Sequence, residues 1–594
     1  MTATLPTSGA QVDHAAPPVS ESTEVGDEIT LSPAATRAVG VVWVLLGASF
    51  AWAVWSRRWM SDDGFINLRI VDNLLSGHGP VFNIGERVEA GTSPLWLAVL
   101  ALGRVAAGWS LCTEWIAVTL GIACSLAAVG VVAFTQRRAW KSPTLPAALL
   151  VWVAIPSVWD FSSSGLETPL LWLWLASAAG LLMIRAVHRP TAAPCQPWWL
   201  CVLVGLGPLI RPDAAVYSAC FIVVLVALAP SSSRSWRTAS RAVGIALALP
   251  VAYEVFRAGY FGVLVPNTGL AKEAGSAQWA SGFAYLRDAL SFGSTWAALV
   301  VATALAAVLI RTGMVRPGLR RVWITCWAAA ALHLTWVLRV GGDFMHARMI
   351  LADVLLILLP VATVPLGALR RTPARLGPLL LALLALWAVA VAGTQRVSPR
   401  SPYSDSVVDE RTAYLSWAGV DHPVELADHR RHIWQHWGES ARRSAARGDA
   451  VVLIAERPAA ALERIPSTGP TAIAWGNIGM LGLSAGHHVI VIDRIGLSDA
   501  YAARMDPIPG GRIGHAKWMP LVWIEARYGA AEASIDPRVA TARAALECPR
   551  LRELHDAVSA PLTPRRFLRN LVQAPALTRL RIPSDPSQAV DELC

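Results

Sequence analysis

Between residues 59 and 94 the chain reads WMSDDGFINLRIVDNLLSGHGPVFNIGERVEAGTSP, and its acids are the first residues able to do chemistry. Asp62, Asp63, Asp72, Glu86 and Glu89 fall in a stretch that follows directly on an apolar run. That stretch is too polar to cross a bilayer and too rich in glycine and aromatics to be a plain linker. Adjacent carboxylates at a membrane surface suit the deprotonation of a hydroxyl while a lipid phosphate departs. A second reading needs only local structure: Ser61 caps a short helix, and Asp62 and Asp63 sit favourably in its electropositive first turn. Both readings start a helix at Ser61.

The same residues carry a resemblance. An Asp-Asp pair just past the first apolar run is followed by F-I-x-L-R (65–69), G-H-G-x-V-F-N-x-G-E-R-V-E (77–89) and T-S-P-L-W (92–96). Further along stand S-G-L-E-T-P (164–169), R-P-D (211–213), P-N-T (266–268) and G-G-D-F-M-H-A-R (341–348). This pattern resembles the polyprenyl-phosphate-sugar-dependent glycosyltransferases of the GT-C fold. Within them it is most similar to the mycobacterial terminal β(1→2)-arabinofuranosyltransferase B group. The resemblance implies a multi-pass α-helical membrane domain and a C-terminal extracytoplasmic α/β domain. It implies decaprenyl-phosphoryl-arabinofuranose as donor and the arabinan of arabinogalactan or lipoarabinomannan as acceptor. Asp62 or Asp63 would be catalytic, one as base and the other positioning the sugar or a divalent cation. A β donor and a β product mean net retention, which needs a covalent intermediate on a carboxylate or same-face attack guided by the leaving phosphate.

A lipid-linked donor asks three things of a protein: a dry groove for the prenyl chain, cations for the phosphate and a carboxylate near the sugar. Arg69, Arg211, Lys272, Arg339 and Arg348 are the candidate cations. Singly, each is explained by snorkelling to the interface; together they would stabilise a leaving phosphate. Arg348 leads, because Asp343, His346 and Arg348 crowd one helix-to-helix turn. Glu89 and Glu167 are further carboxylate candidates that match family positions. Asp213, after Pro212, reads as a helix cap. His78, Asn83, Asn267 and Thr268 are suited to hydrogen-bonding sugar hydroxyls, although turn chemistry explains Asn and Thr equally well.

The elements that must position these residues follow from composition. At 594 residues, 54% hydrophobic and only 15% charged, the chain is too long for one domain and much of it faces lipid. Its net charge of +10 is spread over short loops rather than one face, which argues against nucleic acid as a partner. Residues 1–36 read as a disordered cytoplasmic tail. Apolar runs begin at 39–55 and recur to 375–393. The alternate connections QRRAWKS, IRAVHRP, SSSRSWRTASR, RTGMVRPGLRR and RRTPAR hold fifteen Lys or Arg and no acid, which assigns them to the cytoplasm. Placing Asp62 and Asp63 on the opposite side requires that 94–109 lie in the interface. The outcome is eleven transmembrane helices over 37–393, with 56–113 as the first extracytoplasmic loop.

Residues 394–594 lack a long apolar run and hold eight of the thirteen histidines. They read as a periplasmic α/β domain, with strands within 451–460 and 487–496 and helices within 428–448 and 536–558. Cys548 and Cys594 are the only cysteines of this third; a disulfide and two free thiols both remain open. His429, His432 and His436 fall at helical spacing without a completing ligand and read as a solvated face. Loops around Asn477 and around His515 and Lys517 bear polar and aromatic groups fit for sugars, and the family has similar segments. Two other functions are open to such a chain: a transporter of a lipid-linked saccharide, and a non-catalytic saccharide-binding scaffold. Uncharged helix centres, with charges clustered at one face, favour an interfacial enzyme over a transporter.

Overall fold

The computed structural model describes residues 32–108, 111–188, 196–229, 235–273, 275–394, 407–457, 461–531 and 536–594. Almost all of the N-terminal tail lies outside them.

Among the described residues, six helices are long and apolar enough to cross a membrane: Pro33–Ser56, Thr113–Trp140, Thr168–Val187, Trp236–Phe261, Pro317–Val340 and Leu376–Gly393. Trp279–Ser291 and Thr295–Arg311 form a pair bent by 78°, a seventh span if counted as one. The other apolar runs are short or broken, for a visible reason. Pro156 ends the helix Ala148–Ala154, and Pro208 and Pro212 interrupt the run after Trp198, because proline lacks the N–H and crowds the preceding turn. Helix Pro94–Ala107 has 14 residues; at 1.5 Å each it reaches about 21 Å, short of a hydrocarbon core of roughly 30 Å. Val44, Leu45, Trp52, Leu386 and Val389 lie exposed on the first and last long helices, as lipid-facing residues would. The apolar body packs around Trp152, Trp172 and Trp323.

The polar first loop does not belong to that core. Trp59, Phe65 and Trp96 are buried in one cluster with Tyr414, Trp437, Ile473 and Met480 from the C-terminal third. The C-terminal region holds a four-stranded sheet in the order Glu463–Pro466, Val451–Ile454, Ala472–Trp475, Ile490–Asp493. The first pair is antiparallel and the next two are parallel. Asn83 from the first loop donates to the Val491 carbonyl and accepts from the Val491 N–H, at 2.9 and 3.1 Å, like one more residue of the sheet edge. The helical stretch within 536–558 divides at Cys548-Pro549 into Pro537–Leu546 and Pro549–Ser559. Cys548 and Cys594 form a disulfide, which closes the open alternative.

One short contact decides what reaches the polar face of the membrane helices. Val408 donates to the Phe344 carbonyl at 2.7 Å and accepts from the His346 N–H at 3.0 Å. The chain therefore re-enters across the 341–348 turn and begins the helix Glu410–Ala418 there.

Candidate active site

Ser61 caps the helix Asp62–Leu75, its hydroxyl accepting from the Gly64 N–H, so the local reading of the doublet holds for that residue. The two aspartates then separate, because successive residues of a helix project about 100° apart. Both carboxylate oxygens of Asp62 accept backbone N–H groups, from Gly479 at 3.0 Å and Met480 at 2.7 Å. A Cβ at Gly479 would collide with the Asp62 backbone carbonyl, so glycine is required for this approach. Burial raises the Asp62 carboxyl to about 7 against the pull of those two donors. Asp62 is thus the clamp between the first loop and the C-terminal sheet. Asp63 is half-buried and makes no side-chain hydrogen bond among the described residues.

Asp63 lines a small pocket of about 20 Å³ with Asp62, Lys272, Phe344, Glu410, Tyr414, Asn477 and His515. That volume holds about one water, so a sugar enters only if part of the lining moves. Glu410 Oε2 is buried without a hydrogen-bond partner. Burial first, and the Asp63 charge second, push the Glu410 carboxyl well above the usual range. Cations stand on the other side, around the Phe344 ring. Lys272 Nζ lies 5.6 Å from its centroid and the Arg512 guanidinium carbon 5.2 Å. Neither forms an ion pair among the described residues, and Arg512 Nε and Nη2 are buried without partners. His515 packs edge-on to Phe344 at 4.8 Å. Burial, then Arg512 and Lys272, lower its imidazole to about 4, so it is neutral at pH 7.

Of the residues singled out in the sequence, this pocket gathers Asp62, Asp63, Lys272, Asn477 and His515. The others lie outside its lining, and most have partners within the chain. Arg69 donates to the carbonyls of Phe82, Gly482, Gly486 and Val489. Arg348, the leading phosphate cation, pairs with Asp343 through Nε at 2.7 Å and Nη2 at 2.6 Å. Arg211 is bidentate to Asp213 and 3.8 Å from Glu167. Glu89 accepts from Arg257 and Tyr253, both at 2.7 Å. His346 meets Asp288, and Arg339 donates to the Gly275 carbonyl. Asn267 donates to the carbonyls of Gly496 and Asp499, Lys517 to that of Ala503, and His78 is exposed. A cation held between Asp62 and Asp63 does not fit: both Asp62 oxygens face N–H donors. No group of three His, Cys, Asp or Glu able to hold a metal occurs among the described residues.

A second cavity adjoins the first through one peptide. Arg411, next to Glu410, lines an apolar groove of about 940 Å³ together with Phe50, Ala53, Trp159 and Ala388. Arg57 and Arg411 mark its polar end, Arg57 bidentate to Asp160 at 2.6 and 2.8 Å.

Residues 446–592 match the AftB family C-terminal domain. The chain is 34% identical to the terminal beta-(1->2)-arabinofuranosyltransferase of Mycobacterium tuberculosis, over 90% of this chain and 94% of that protein. The chain belongs to the terminal β(1→2)-arabinofuranosyltransferase family. The protein of the same name from Corynebacterium glutamicum is 31% identical over 91% of this chain and 86% of its own length. No solved structure matches the chain. Both relatives are glycosyltransferases by name. In this member of the arabinofuranosyltransferase family, one pocket residue, Glu410, and one residue beside the pocket, Arg512, escaped the sequence reading. Glu410 follows an unremarkable stretch, and Arg512 lies in a loop of which only His515 and Lys517 drew notice. An isolated acid and an isolated arginine carry no spacing that distinguishes them.

Proposed function

We propose that this protein transfers arabinofuranose from decaprenyl-phosphoryl-arabinofuranose to non-reducing ends of arabinan, forming β(1→2) linkages. The observation that carries this reading is the small pocket. Two acids without protein partners, Asp63 and Glu410, line it with Lys272, a cation without an ion pair, and Arg512 stands beside it against the Phe344 ring. The prenyl chain lies in the apolar groove, and the helix that starts at Glu410 joins groove to pocket. As the bond from the anomeric carbon to the phosphate oxygen breaks, the acceptor oxygen bonds to that carbon and its proton passes to Asp63. Lys272 and Arg512 stabilise the departing phosphate. Glu410, kept protonated beside Asp63, donates a hydrogen bond to the sugar. Acids and cations lining one small space suit same-face substitution, which gives net retention.

The GT-C fold, the eleven crossings and the division at residues 36 and 393 belong to the same reading. So does an extracytoplasmic position for the first loop and the C-terminal region. The cation-rich alternate loops support that orientation, and so does the Cys548–Cys594 disulfide, a bond of oxidising compartments.

The test is transfer by purified protein in nanodiscs, given labelled decaprenyl-phosphoryl-arabinofuranose and an arabinofuranosyl oligosaccharide. A β(1→2)-linked product that disappears in Asp63→Asn supports the reading. Absence of transfer, which would fit a scaffold, or full activity in Asp63→Asn overturns it.

A further inference from the structure

A cavity of about 470 Å³ lies away from the small pocket, between the first loop and the C-terminal helices. Its lining includes Glu86 from the first loop, Tyr501, Arg527 and Tyr528 from the C-terminal region, and His555 and Ser559 from the helix Pro549–Ser559. None of these residues takes part in the chemistry proposed above.

Three features tell what such a cavity would hold. The first is charge. Among its lining, Glu86, Glu547 and Asp556 stand against Arg527 and Arg552, so no net positive field is available for a phosphate or another anion. Arg527 is further committed to Asp499 at 2.7 Å. The second is surface chemistry. The Arg527 guanidinium stacks on Tyr501 at 4.1 Å and Tyr528 at 4.9 Å. This makes a rigid wall of flat rings edged by hydroxyls and a carboxylate. Tyr528 accepts from Arg527 at 3.0 Å and donates to Glu86 at 3.3 Å. Flat apolar faces with fixed donors and acceptors at their edges fit a neutral polyhydroxylated ring.

The third feature is position. The segment after the strand Ile490–Asp493 lines both cavities, through Ile495 and Leu497 at the small pocket and through Ala500 and Tyr501 here. Tyr501 is four positions after Leu497, so their Cα atoms are at most about 14 Å apart. Asp499 pins that bridge by accepting from the Tyr501 and Ala502 N–H groups, both at 2.9 Å.

We infer that this cavity is a second saccharide subsite, holding inner furanose residues of the acceptor while its terminal residue reacts at Asp63. The inference rests on the proposed transfer for its setting and adds where the acceptor chain is gripped.

The whole protein in nanodiscs tests it through Ser559→Trp, which fills the cavity from its rim, and Tyr501→Phe, which removes one hydroxyl. KM for a long arabinofuranosyl oligosaccharide should rise about tenfold in Ser559→Trp and less in Tyr501→Phe. KM for a disaccharide acceptor, KM for the donor and kcat should stay unchanged. An equal change for long and short acceptors, or no change, overturns the subsite. Calorimetric titration of the same long oligosaccharide, without donor, separates this inference from the transfer itself. Weaker binding by Ser559→Trp than by the parent sustains the subsite even where no transfer is detected. Equal binding by the two proteins, or no binding to the parent, removes it.

Discussion

Two groups of charges, each drawn from distant parts of the sequence, behave oppositely. At the 341–348 turn and its neighbours every charge is answered: Arg348 by Asp343, Arg211 by Asp213, Arg57 by Asp160. In and beside the small pocket, Asp63, Glu410 and Lys272, with Arg512 against the Phe344 ring, have no such partners among the described residues. An ion pair satisfied by the protein holds elements together and has little left to offer a ligand. An unsatisfied charge is unfavourable in the empty protein and is relieved when a substrate supplies the missing partner. On the proposed function, the difference separates framework from site among residues of identical chemical type.

The comparison is open to attack from both sides. Asp63→Asn should lower transfer about 10³-fold while thermal melting in detergent stays that of the parent; a large loss of stability would place Asp63 with the framework. Arg348→Met should do the reverse. It leaves Asp343 buried and unanswered, at a cost of about 3–5 kcal/mol, visible as a lowered melting temperature. Unchanged melting with abolished transfer would instead make Arg348 part of the site. Arg512→Met should reduce transfer about 10²-fold, as for a lost donor to developing charge, with stability equal to the parent or higher. An inactive, unstable variant would show that the arginine has a structural partner.

The smallest effect is a pH dependence. The Glu410 carboxyl is raised in the folded protein by burial and by Asp63, so its protonated form is the one that folding favours. Its contribution is complete below the unfolded carboxylate range and is lost as pH rises through the raised value. His429, His432 and His515, lowered to about 4, work the other way, but only below about 6.5. From pH 6.5 to 8 the melting temperature of Glu410→Gln should therefore rise relative to the parent. A relative fall would mean that Glu410 is ionised and paired.

Short-range physics made part of this molecule legible from residues alone. The cap at Ser61, the long apolar helices and the C-terminal strands depend on neighbours a few positions away, whereas the breaks at Pro156 and Pro208 fall inside apolar runs that the count of eleven crossings takes as whole. Candidates such as Lys272, Asn477 and His515 were named because their residue types suit sugars and phosphates, and the fold brings them to one pocket. Arg69 and Asn83 were equally suitable by type, yet their polar groups are used by backbone of the sheet more than 400 residues away. Nothing local marks an arginine that serves carbonyls.

The sequence by itself determined that an acidic doublet would open a helix beside an apolar bundle, because capping and hydrophobicity are written in adjacent residues. Only the tertiary structure decided which aspartate of the doublet stays available. That choice rests on the N–H groups of Gly479 and Met480, 417 and 418 positions from Asp62. It rests equally on the chain's return at Val408, which sets Glu410 beside Asp63. Hydrogen bonds and Coulomb interactions act over a few ångströms of space whatever the separation along the chain, so partners this distant are chosen only once the chain has folded.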